Sequence, residues 1–382
     1  MSLRFSNFFM SLIFSLYFIS LLPRSTSFST IGVTYSAAAN THLPPEHIAT
    51  AINCLNITSL RLQDSDPNVI RAFTYTNISL FLTIPNSLVP TIASNRTNAL
   101  RWLYVNVVPF YPRAKITIIS VGNDILEVSP EFAELLVPAI RNVYLALGDL
   151  GIRKISVSTT FSFINVITTP FPPSAAKFQD SSGDNVILPL LQFLRETNSS
   201  FLMNVYPYNL FRLNSEIPIG IALFKEHPFN FRDDLTTGVR YHNLFDMMID
   251  AVISAMAVEG HEDIPIIVSE TGWPSSSTSP YEVDANIAYA EMYLKALVGH
   301  LKSGLGTPLR MEGVAETYIY ELFDTESKQE TKQTIRKWGI LYPNMTRKYN
   351  INFSGSARIG RSRVMVKLAI GIFLVFVLCF SQ

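Results

Sequence analysis

The sequence is short of cysteine, short of charge, and has no apolar run of the ~20 residues that a membrane span needs. Two cysteines occur in 382 residues, and Cys379 lies in an apolar C-terminal stretch. With Cys54 left alone, a disulfide framework and a cysteine-ligated metal are both excluded. The histidines (His42, His47, His227, His242, His261, His300) stand at no metal-ligand spacing, so no metal or other cofactor is expected. Charged residues make up 16% of the chain and cancel to a formal net charge of +0. Internal repeats and low-complexity linkers are also missing, which excludes a solenoid or a string of modules.

Both ends read as processing signals rather than as fold. Met1-Ser-Leu-Arg4, an apolar run from Phe8 to Leu22 and then Arg24-Ser-Thr-Ser27 have the order of a secretory signal peptide, assigned to residues 1–27. At the other end, Ser354-Gly-Ser-Ala357 leads through a basic spacer to Arg363 and an apolar Leu368–Phe380. That is the pattern of a lipid (GPI) anchor attachment signal, assigned to 354–382 and removed on attachment. A domain over 28–353 remains. The ends carry six of the 30 basic residues and none of the 30 acidic ones, so this domain holds 24 against 30, a formal charge of −6. No basic surface is left for nucleic acid, and a neutral polymer suits the charge better than an anionic one. Six N-x-Ser/Thr sequons, at Asn56, Asn77, Asn95, Asn198, Asn344 and Asn352, agree with passage through the secretory route. The expected location is extracellular, on the outer leaflet of the plasma membrane and facing the cell wall.

The most informative stretch is Ile264-Pro-Ile-Ile-Val-Ser-Glu-Thr-Gly-Trp-Pro-Ser-Ser-Ser277. An apolar run delivers one carboxylate, Glu270, followed at once by Gly272, Trp273 and Pro274. A buried strand ending in a lone acid beside an indole is what a sugar-cleaving site needs, since the indole offers a flat face to a pyranose. The alternative is a core strand ending in a capped turn, with Glu270 as the cap acceptor; spacing alone leaves both open.

Eight short apolar runs alternate with helical segments. The strands fall at Ile31–Tyr35, Ser59–Gln63, Leu80–Ile84, Ile116–Val121, Lys154–Thr159, Phe201–Val205, Ile264–Ser269 and Thr317–Leu322. Helices are expected at Pro45–Cys54, Pro67–Thr74, Arg96–Val108, Glu131–Leu147, Val186–Glu196, Tyr241–Glu259 and Asp284–Lys302, with Pro207–Pro228 a long loop. This is the pattern of an α/β chain forming a single (β/α)8 TIM barrel with loop insertions at its C-terminal rim. Tyr35, Asp64, Asn123-Asp124, Tyr206-Pro-Tyr208, Glu270 and Asp324 to Lys328 then converge on that rim: acids, aromatics and amides, a good sugar site and a poor phosphate site.

Val268-Ser-Glu-Thr-Gly-Trp-Pro-Ser-Ser-Ser277 resembles the signature of glycoside hydrolase family 17, the plant endo-1,3-β-glucanases. The likeness extends to Ile31–Tyr35, Ile119–Asn123, Asn204-Val-Tyr-Pro-Tyr208, Tyr241–Asp246 and Trp338–Pro343. The resemblance implies retaining hydrolysis of β-1,3-glucan, with Glu270 as nucleophile; separately, the chain is expected to be a monomer. It implies that the general acid stands at the end of the fourth strand, where the family pattern Val-Gly-Asn-Glu appears here as Val121-Gly-Asn-Asp124. Asn123, Tyr35, Tyr206, Trp273 and Lys328 would bind substrate. Further departures are Gln63 where the family has tyrosine, Thr325 where it has a supporting glutamate, and Ile335 where it has another. Aspartate is one methylene shorter than glutamate, and a displacement of ~1 Å can cost on the order of a hundredfold in rate. Glu127, one turn on, is a substitute acid to be weighed. Two other readings follow from the departures: a β-1,3-glucan-binding protein that does not cut, and a glucan transglycosylase.

Overall fold

A computed structural model describes residues 29–38, 43–179, 183–225, 229–325 and 334–354. The leader assigned to 1–27, the anchor signal apart from Ser354, and Lys328 all lie outside the described residues.

Eight parallel strands close into one barrel: β1 (Thr30–Tyr35), β2 (Ser59–Leu62), β3 (Ser79–Ile84), β4 (Lys115–Asn123), β5 (Ser156–Ser162), β6 (Phe201–Asn204), β7 (Ile266–Thr271) and β8 (Glu316–Ile319). Each strand pairs with its sequence neighbours, and β8 closes on β1 with Thr30 opposite Glu316. The chain is a (β/α)8 barrel. Its strands read as continuous apolar runs because both faces are covered: Phe81, Ile118, Leu202, Ile267 and Tyr318 fill the interior, while the outward residues meet the helices. Each such side chain taken from water contributes about 1.5–3 kcal/mol.

The helices begin and end where local chemistry dictates. Pro45 opens α1 (Pro45–Leu55), where its missing N–H costs nothing, and Asn56 ends it in the left-handed region. Asp66 accepts from the amide of Asn68 at the start of α2 (Pro67–Ala72). Helices α3 (Arg96–Asn106), α4 (Leu136–Asp149) and α5 (Leu188–Thr197) follow on the barrel's outer side. Asn243 caps α6 (Leu244–Val258), which is apolar nearly all round and accordingly buried. Asn286 caps α7 (Ile287–Ser303), which stops at Gly304 with φ 67°.

Three expectations need correction. The stretch from Pro207 folds into helical turns at Pro207–Leu213 and Ile219–Ala222 rather than a bare loop. A hairpin, Arg232–Asp234 with Val239–Tyr241, precedes α6 where helix was expected from Tyr241. The seventh strand runs on through Thr271, so Glu270 sits inside its last turn of register, opposite Asn204 of β6. Among the described residues no helix is long and apolar enough to cross a membrane.

Candidate active site

The barrel's C-terminal rim gathers the site around Glu270, which is 5% exposed. Its Oε1 accepts from Arg61 Nη1 and, at 2.8 Å, from Gln63 Nε2; its Oε2 accepts from the Tyr206 hydroxyl at 2.7 Å. All three donors are side chains, so Glu270 is not a turn cap. Glycine is required two residues later: a Cβ on Gly272 would stand 2.6 Å from the Tyr320 carbonyl oxygen.

Arg61 was not legible as a site residue, although a charge inside the apolar run Leu60-Arg-Leu62 is a signal. It is fully buried, lies over the Phe81 ring at 5.1 Å, and gives Nη2 to Asn123 Oδ1 at 2.7 Å. One guanidinium therefore ties the end of β7 to the end of β4. Asn123 is held in turn by Asn86, whose amide group bonds both the N–H and the C=O of that residue.

Asp124 follows directly, with φ 49° and ψ 40°. Aspartate tolerates this left-handed conformation better than most residues. Its Oδ2 accepts from Asn204 Nδ2 at 2.9 Å and weakly from Asn123 Nδ2 at 3.4 Å, while Oδ1 is buried without a partner. Burial first, and the charge of Glu270 second, push its carboxyl up to about 7; Asn204 and Arg61 oppose them. Two neighbouring carboxyls thus have different surroundings, one clamped by three donors and one with a free oxygen that favours a proton. Glu127 does not join them: it is exposed and accepts from Asn165.

The wall of the site comes from rings other than the expected one. Trp273 is 1% exposed, stacks on Phe211, and gives its indole N–H to the Asp284 carbonyl at 2.8 Å. It is a core residue, enclosed by the rings of Tyr208, Phe211 and Tyr293. The partly open aromatics are Tyr206, Tyr320 and Trp338, with Trp338 5.2 Å from Tyr206 and 6.1 Å from Tyr320 between ring centroids. Tyr35 is 2% exposed and its carbonyl accepts from the Gln63 N–H at 3.1 Å; its ring meets Phe323 edge-on, and it borders an 840 Å³ cavity also lined by Asp64, Asp66 and Arg71. Burial, then Asp64 and Asp66, raise its hydroxyl pKa.

The rim acids also divide. Asp64 pins the loop after β1 by accepting from Ser36 Oγ at 3.0 Å and the amide of Ala38. Asp324 accepts from the buried Lys348 at 2.6 Å and the amide of Gly339. Both are loop fasteners rather than cleft acids. Thr325 gives its hydroxyl to Glu321 Oε2 at 2.7 Å, so a carboxylate four residues earlier occupies the neighbourhood of the missing glutamate. Burial pushes Glu321 up to about 7 against the Thr325 hydrogen bonds, with the charges of Asp324 and Glu270 adding to the rise. Arg336, beside Ile335, is bound by Glu282 through both nitrogens, and Glu282 falls to about 2 for that reason. All six sequon asparagines are exposed.

The chain matches the model of glycosyl hydrolases family 17 over residues 31–353. It is 36% identical over 340 residues to glucan endo-1,3-beta-glucosidase 2 of Arabidopsis thaliana, covering 88% of this chain and 66% of that protein. To glucan endo-1,3-beta-glucosidase 12 of the same plant it is 33% identical over 329 residues, covering 86% and 60%. The chain thus spans slightly less than two thirds of the length of these relatives. Among solved structures, a β-1,3-glucanase and pollen allergen of Cryptomeria japonica superposes with a TM-score of 0.78 at 34% identity, covering 85% of this chain and 99% of that one. A plant β-glucan endohydrolase gives 0.75 at 32%, covering 84% and 100%.

Proposed function

The chain belongs to glycosyl hydrolases family 17, and on that premise we propose that it hydrolyses internal β-1,3-glucosidic bonds of a β-1,3-glucan with retention of configuration. One observation carries the reading: Glu270 and Asp124 share the Arg61–Asn123 bridge yet stand in opposite surroundings. A Glu270 oxygen attacks the anomeric carbon as the glycosidic C–O bond breaks, and the proton of Asp124 passes to the leaving oxygen. Water then attacks the same carbon, Asp124 takes up its proton, and the Glu270 ester bond breaks, restoring both groups. Asn123 would bond the sugar's 2-hydroxyl. Tyr206, Tyr320 and Trp338 form the faces on which glucosyl rings rest, and Lys328, outside the described residues, is kept as an expected substrate contact.

Aspartate in place of glutamate lowers the rate without removing the function. The raised carboxyl of Asp124 supports a proton held for delivery from a shorter arm. Release of reducing ends from a linear β-1,3-glucan tests this directly: slow release by the wild type, raised by Asp124→Glu and abolished by Glu270→Ala. No release with retained glucan binding reassigns the cleft to binding alone, and longer products without net reducing ends reassign it to glucan transfer.

Secretion and lipid anchoring complete the proposal. The exposure of all six sequon asparagines supports N-glycosylation at Asn56, Asn77, Asn95, Asn198, Asn344 and Asn352. Shift in mobility on deglycosylation, and release of the protein from membranes by a phosphatidylinositol-specific lipase, test these two points.

A further inference from the structure

Gln63 is the departure from the family pattern that touches the reacting group itself. It follows β2, where its backbone N–H is fixed to the Tyr35 carbonyl at 3.1 Å, and its Nε2 lies 2.8 Å from Glu270 Oε1. Facing a carboxylate oxygen, only the amide nitrogen can take part, as a donor. Among the described residues, the other groups around Glu270 are Arg61 from β2, Asp124 after β4, Tyr206 after β6, and Tyr320 with Glu321 after β8. Only Arg61 among them carries a positive charge. Oε1 thus has two donors, Arg61 within β2 and Gln63 just after it, and Oε2 a single neutral phenol.

A hydrogen bond of this kind is strongest to the free carboxylate and weaker once that carboxylate has become a glycosyl ester. We propose that Gln63 is a positioning residue that sets the balance between the two half-reactions, holding back formation of the glycosyl-enzyme and speeding its breakdown. The inference rests on the reading of Glu270 as nucleophile. In chemical terms, the C–O bond to Glu270 forms against a better-stabilised anion and breaks to regenerate it; the donor keeps its own proton throughout.

Gln63→Met keeps length and volume and removes the donor; Gln63→Leu serves the same comparison should the methionine variant fail to fold. With a dinitrophenyl β-laminaribioside, whose good leaving group makes breakdown limiting, kcat falls on the order of tenfold while KM falls with it, and a glycosyl adduct on Glu270 appears by mass spectrometry. A purely structural role predicts instead that kcat and kcat/KM drop together, with no adduct, which overturns the proposal. A second measurement needs no turnover. A cationic laminaribiose-type iminosugar, bound by the carboxylate, tightens on the order of tenfold in Gln63→Met by calorimetry. Unchanged or weaker affinity overturns the role of Gln63, whereas tighter affinity in a protein that never turns over refutes hydrolysis and with it the half-reaction balance, leaving only the hold of Gln63 on the Glu270 carboxylate.

Discussion

Asn204 offers the sharpest handle on how Asp124 keeps its proton. Its amide donates to Asp124 Oδ2 at 2.9 Å, and it is the one short hydrogen bond that opposes the burial raising that carboxyl to about 7. Replacing it by leucine, of similar size, leaves only the 3.4 Å contact from Asn123. A hydrogen bond to a charged group is worth about 1.5–3 kcal/mol, or one to two pKa units at about 1.36 kcal/mol each. Asp124 is partly open to the cleft, so the lower end applies. The sign follows from the acid's role: protonated Asp124 is the active form, so activity falls as pH rises through its pKa. Asn204→Leu should therefore move the alkaline limb of kcat/KM upward by about one unit, from about 7 towards about 8. Loss of orientation should lower the plateau on the order of ten- to a hundredfold. The assay is reducing-end release from laminarin-type glucan across pH 4 to 9. A limb that stays in place, or moves to lower pH, refutes the assignment of Asp124 as the acid.

Arg61→Met removes the buried partner of Glu270 and the tie to Asn123; it should cost about 3–5 kcal/mol in urea unfolding, against under ~1 kcal/mol for breaking the exposed Arg96–Asp149 pair. Trp338→Ala should weaken glucan binding by calorimetry while leaving the fold nearly intact, whereas Trp273→Ala should cost about 3–5 kcal/mol of stability, as expected of an enclosed indole. Stability should also decline as pH rises from about 4 to about 7: Asp124 and Glu321 are both raised well above their ordinary values, so their favourable contribution is complete at low pH and lost as each ionises in the fold. Melting temperatures of the wild type and of Asp124→Asn, compared across that window, check it; the variant should show the shallower slope.

The barrel was legible because eight strands covered on both faces leave continuous apolar runs, and Glu270 because it ends one of them. Arg61 was hidden by the same rule, for a charge inside such a run reads as a blemish unless its partner, 209 positions away, is known. Trp273 misled because an aromatic next to a strand-end acid says nothing of which way the ring turns; it turns in against Tyr208, Phe211 and Tyr293, and the partly open indole is Trp338, 65 residues further on. Asp64 and Asp324 looked like cleft acids for want of the amides and lysine that occupy them. Asn204 and Gln63 stood in plain view, but only the register of β6 against β7, and the turn after β2, give them their targets.

The roles of the two carboxyls are tested most directly by azide rescue with an activated aryl β-laminaribioside. In Glu270→Ala, azide attacks from the vacated side and should yield the α-glycosyl azide. In Asp124→Ala, azide replaces water at the glycosyl-enzyme and should yield the β-glycosyl azide. The reverse pairing, or no azide product from either variant, contradicts the account.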